Sequence, residues 1–135
     1  MAKRRHHEPE YVLHIFHHTD ERTQKPIVVF VVRTVKEFTN FNYQILLDAA
    51  LDGDSLQLTI LGLRTSPLIM PGVGPAQGSK DFSRLDGAYH LTVTKLDGES
   101  NSFGLKISPT QITVEGGPPH PFILVVNEPV QIPKD

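Results

Sequence analysis

The sequence predicts an all-β protein, an antiparallel β-sandwich with a closed β-barrel as the second architecture. Three observations carry the prediction. Two long alternating runs, Phe41 to Leu51 and Leu56 to Leu63, meet at Asp52-Gly53. Eight or nine strand-length segments along the 135 residues are separated by turn residues at short intervals, the pattern of sandwiches and barrels. No strongly amphipathic helical stripe accompanies them.

The pairing at Asp52-Gly53 is the strongest local signal. Phe41, Tyr43, Ile45, Leu47, Ala49 and Leu51 alternate with more polar neighbours, then Leu56, Leu58, Ile60 and Gly62 do the same. A period of two marks half-buried strands, and Asp-Gly between two such runs marks a hairpin. Positive φ is expected at Gly53.

Taken in order, residues 1–9 read as a flexible basic arm, residues 10–128 as one β domain and residues 129–135 as a C-terminal tail frayed by Pro129 and Pro133. Tyr11 to His18 alternates as a first strand. Ile27 to Val32 is apolar on both faces, so a strand there must be covered on both sides. Thr34 followed by Glu37 matches a capping box, which would open a helical turn near residues 35–39. Arg64 to Leu85, with Pro67, Pro71, Pro75, Gly72, Gly74 and Gly78, reads as a long mobile connection. Gly87 to Leu96 and Phe103 to Ile107 form a second hairpin around residues 97–101, followed by short strands at 111–115 and 122–126.

Asp86-Gly87-Ala88-Tyr89-His90-Leu91-Thr92-Val93 resembles the Gly-x-Tyr-x-Leu-x-Val opening of a late strand in immunoglobulin-like sandwiches. The resemblance covers these residues alone and implies a corner hydrogen bond from Tyr89 to backbone just upstream. The expected sandwich is jelly-roll or immunoglobulin-like; the cysteine pair and tryptophan of true immunoglobulin domains are absent.

Composition bounds function. Net charge is −2, which supplies no domain-wide field for nucleic acid or anionic membranes. The longest apolar run, Ile27 to Val32, is too short to span a bilayer. With no cysteine, disulfides, zinc–thiolate sites and thiol nucleophiles are excluded. The start is basic then polar, unlike a secretory signal, and the expected location is cytoplasmic.

Candidate sites are few. His14 and His18 on one strand face would stand roughly 13 Å apart, too far to share a metal, with His17 on the other face. Gly72 to Lys80 lacks both the dinucleotide-binding spacing and the Gly-Lys-Ser/Thr of a phosphate loop. Asp48, Asp52, Asp54, Asp97 and Glu99 are read as turn residues. No catalytic residue, metal site or cofactor is expected.

The expectation is therefore a non-enzymatic interaction or assembly module, a homo-oligomer or a partner of another protein, with Val28, Val29, Phe30, Val31 and Val32 at the interface. A small-ligand carrier is the alternative, a barrel whose pocket is lined by Phe41, Tyr43, Ile45 and Tyr89.

Overall fold

A computed structural model of the chain describes residues 8–39, 43–65 and 74–133. Its elements are β1 (Tyr11–Thr19), β2 (Pro26–Phe38), β3 (Tyr43–Asp52), β4 (Ser55–Thr65), β5 (Gly74–Ser83), β6 (Gly87–Thr94), β7 (Ser100–Ile107), β8 (Ile112–Glu115) and β9 (Ile123–Val126). They form one mixed sheet in the order β8-β7-β6-β4-β3-β5-β2-β1-β9, curled into a nearly closed barrel. The predicted all-β class is right, and the barrel, not the two-layer sandwich, is the observed form.

Local chemistry accounts for the hairpins. Asp52 pairs with Ser55 across a two-residue turn, and Gly53 has φ +61°. Positive φ at the first central position is the II′ arrangement, which matches strand twist. The turn thus centres on Gly53-Asp54, one residue later than Asp52-Gly53. Tyr89 makes its corner: the hydroxyl donates to the Asp86 carbonyl oxygen at 3.2 Å and accepts the Asp86 N–H at 2.9 Å.

Two expected breaks are strands. Residues 74–83, read as part of a mobile connection, form β5 and pair antiparallel with β2 from Ile27↔Ser83 to Phe38↔Gly74. The strand is hidden by its glycines and proline, yet it is Gly78 that lets its backbone pass beside Ile45. Residues 35–38 continue β2 past a bulge between Arg33 and Glu37. Thr34 caps no helix: its hydroxyl donates to the Lys36 carbonyl at 2.7 Å and accepts the Ala76 N–H at 2.9 Å.

β5 and the extended β2 explain the sheet. β5 joins the group β8-β7-β6-β4-β3 to the group β2-β1-β9, touching β3 in parallel at Gln44↔Gln77. Because β5 leaves to pair with β2, β6 returns parallel to β4. β9 runs parallel to β1, so the sheet is mixed where an antiparallel one is expected.

The barrel interior is filled by side chains. Leu13, Ile15, Phe30, Leu58, Val93 and Leu105 belong to one core cluster that takes in the inward face of the barrel wall. A second, smaller cluster lies outside the wall, where Phe16, Val29 and Val31 are packed with Ile27, Val130 and Ile132. The C-terminal segment is thus a strap across the outer face of β1 and β2. The tail expected to fray supplies the cover that the β2 run requires.

Candidate functional site

The barrel does not close between β8 and β9, the two ends of the sheet. Their connection, Gly116 to Pro121, holds three prolines, which cannot donate to a ladder. The gap is a cleft of about 490 Å³ lined by Gln111 to Val114 and Val125 to Glu128.

Register shows which backbone groups face this seam. In an antiparallel ladder, hydrogen-bonded pairs recur at every second residue. Ser108 and Gln111 exchange both bonds at 2.8 and 3.4 Å, so Lys106–Thr113 and Gly104–Glu115 are the following bonded pairs of β7 and β8. Ile112 and Val114 consequently turn their N–H and C=O groups to the seam. On β9, the Phe122 carbonyl accepts the Tyr11 N–H at 3.1 Å, which directs Phe122, Leu124 and Val126 to β1 and leaves the backbone groups of Ile123 and Val125 facing the gap.

One side chain bridges the opening. Asn127 Nδ2 donates to the Ile112 carbonyl oxygen at 2.8 Å, standing in for a strand partner. Among the described residues no strand is paired with β8 on the side to which Val114 turns its N–H and C=O. Four of the bordering side chains, Ile112, Val114, Ile123 and Val125, are apolar and packed in or against the core, while Gln111, Thr113, Asn127 and Glu128 give the cleft a polar share.

Beyond Asn127 the strap is fixed by a histidine. His14 Nδ1 donates to the Glu128 carbonyl oxygen at 3.0 Å, while Nε2 accepts from Arg33 Nε at 3.1 Å. Arginine can only donate, so the imidazole carries its hydrogen on Nδ1.

A second cleft, about 390 Å³, opens at the barrel end where β1 stops and β2 starts. Pro26, Ile27, Leu85 and Pro109 supply apolar walls, with His17, Arg84 and Asp86 at the rim. His17 Nε2 is hydrogen-bonded to the Ser108 carbonyl at 2.7 Å. Arg84 has φ +61°, uncommon for a residue with a side chain.

The residues singled out in the sequence are not brought together. Phe41 lies outside the described residues. Tyr43 packs against Phe38 at one end of the barrel, with ring centroids 4.7 Å apart and the rings tilted by 58°, whereas Tyr89 sits at the other end beside the Gly53 turn. The length of β3 separates them by roughly 30 Å. Ile45 is a core residue, 3% exposed, so these side chains form no common pocket. Val28, Val29, Phe30, Val31 and Val32 are each at most 2% exposed within the single chain. Val28, Phe30 and Val32 face the barrel core and Val29 and Val31 face the strap, so no second subunit is needed to cover them.

Charge is organised for structure elsewhere. Lys95 meets Glu10 at 2.9 Å, Glu99 at 3.3 Å and Asp97 at 3.8 Å, with its ammonium 4.9 Å from the Phe122 ring centroid. Burial alone would lower the Lys95 pKa, but hydrogen bonds to Glu10 and Glu99 outweigh it and hold the group above its ordinary value. Tyr11 is raised by burial and by Glu10. Asp20 is lowered by the Arg22 backbone N–H in the β1–β2 turn. Among the described residues no group of three His, Asp or Glu is arranged to hold a metal ion. No helix there is long and apolar enough to cross a membrane.

The seam was only indirectly legible: two short runs bounded by prolines are an edge-strand signal, but their mutual position depends on the closure. Comparison with protein-family models, curated proteins and solved structures gives no match. The fold and the open seam therefore carry the functional reading.

Proposed function

We propose that the chain is a non-enzymatic intracellular interaction or assembly module that works through its free strand edges. The supporting observation is the seam, where Ile112 and Val114 on one side and Ile123 and Val125 on the other turn backbone groups outward. Unsatisfied strand edges are templates for further pairing. Self-assembly belongs to this reading, but its contact is β8 or β9, not the covered β2.

Light scattering coupled to size exclusion, together with native mass spectrometry, tests the reading. A mass above 15.1 kDa or a stoichiometric polypeptide partner is the expected result. A strictly monomeric chain that carries one small molecule per copy would favour the alternative, a small-ligand barrel, whose supporting observation is the 390 Å³ cleft beside His17 and Arg84.

A further inference from the structure

We infer that the seam accepts an extended peptide segment of a partner protein as a tenth strand, inserted between β8 and β9 and aligned antiparallel to β8. This rests on the interaction reading and names the partner's chemistry. Insertion would place a backbone against the outward groups of Ile112 and Val114 and a second set against Ile123 and Val125. A peptide backbone supplies donors and acceptors in that order along its length, with alternate side chains read by the two faces.

The surroundings define the segment. Peptide residues opposite Ile112 and Val114 face the barrel interior, because directly paired residues share a face. There they meet an apolar core, so small aliphatic side chains fit. The intervening residues emerge beside Thr113 and Glu115, both exposed, and are polar. Among the described residues Glu128 is the one charged residue lining the cleft, and it stands at the Ile112 end. An antiparallel segment brings its C-terminal end there, so a lysine or arginine at that end complements the carboxylate.

A folded second copy suits the gap less well. The two edges face one another across the cleft, and an edge strand backed by its own sheet cannot slide between them, whereas a single extended segment can. Asn127 acts as the latch, occupying the Ile112 carbonyl that the incoming strand takes.

The probe is a fluorescein-labelled peptide of alternating threonine and valine ending in lysine, read by anisotropy on the full chain. Affinity in the range of about 10–500 μM is expected for so short a strand. Val114→Pro deletes an outward N–H while sparing the β7 ladder, an arrangement edge strands tolerate, and should weaken binding at least about tenfold. Asn127→Ala should tighten it, and Glu128→Lys should transfer the preference to a peptide ending in glutamate. If Val114→Pro fails to fold, amide exchange of the wild-type chain replaces it: peptide must protect the Val114 N–H. Equal binding by folded Val114→Pro, equal binding of a peptide with proline at its centre, or no binding up to about 1 mM overturns the assignment. A doubled mass of the chain alone that Val114→Pro returns to monomer names a second copy as occupant and also overturns it, while leaving the interaction reading in place.

Discussion

Gly78 lies so close to Ile45 that a Cβ at position 78 would run into the Ile45 carbonyl oxygen and stand 3.2 Å from its Cβ. The contact sits next to Gln44↔Gln77, the single register pair joining β3 to β5 among the described residues. A methyl group there must push apart the two parts of the sheet, and the opposing atom is backbone that cannot swing away. Gly78→Ala should cost about 3 kcal/mol, the upper end of overpacking, read from urea unfolding. A loss under about 0.5 kcal/mol would show that the join is looser than described.

Gly53 is the contrasting case. A Cβ there meets nothing within 4 Å, but φ is +61°. Strain is therefore purely conformational, and Gly53→Ala should cost about 1 kcal/mol, with Gly53→Val costing more because of its branched side chain. An unchanged melting curve would contradict the II′ turn.

The contrast between these glycines explains how much could be read from sequence. Gly53 lies between two alternating runs, so local pattern located the hairpin to within one residue and assigned Tyr43, Ile45, Leu56, Leu58 and Ile60 to the same face. β5 has no such pattern, since Ala76 and Gly78 are its buried positions and their small size records a close approach, not an apolar stripe. Without β5 the chain divides into two sheets, which is a sandwich; with it the sheets join into a barrel. The strap was hidden for a similar reason: Val130 and Ile132 are isolated apolar residues among prolines, and only the tertiary placement of Phe16, Val29 and Val31 gives them a partner. The apolar run of β2 requires cover on its outer face, and the chain's own C-terminal strap supplies it in place of another molecule.

That strap can be tested directly. Val130 and Ile132 pack on the outer cluster, and the segment past Asn127 is anchored where the Glu128 carbonyl accepts from His14. Ending the chain after Asn127 should uncover Phe16, Val29 and Val31 and destabilise the fold by about 2–4 kcal/mol, the scale of losing two partly buried aliphatic side chains and one hydrogen bond. Ile132→Ala should cost about 1–2 kcal/mol by itself. Increased binding of a hydrophobic dye and a rise in mass should accompany the truncation. Wild-type stability and mass in the truncated chain would mean that the strap contributes no cover.

Lys95, with a side chain 14% exposed, gathers Glu10, Asp97 and Glu99 around its ammonium, and its pKa is raised from 10.5. Glu10 precedes β1 and Lys95 follows β6, so the charge contact ties the start of the barrel to the β6–β7 turn. Tyr11 is raised from 10.0, chiefly by burial. Both groups hold their protons more tightly in the folded chain than in the unfolded one. Their contribution is therefore complete below the unfolded pKa and is lost as pH climbs through the folded value. The melting temperature should hold up to about pH 10, the ordinary tyrosine value, and fall above it as these protons leave. In the double variant Tyr11→Phe with Lys95→Met, which keeps the aromatic ring and an unbranched side chain over Phe122, the midpoint at neutral pH should drop and the alkaline decline should flatten. Raising the salt concentration should weaken the wild-type contact more than the variant, because the three carboxylates are more than half exposed and open to screening. A decline of the same steepness in both proteins would remove Lys95 and Tyr11 as its cause.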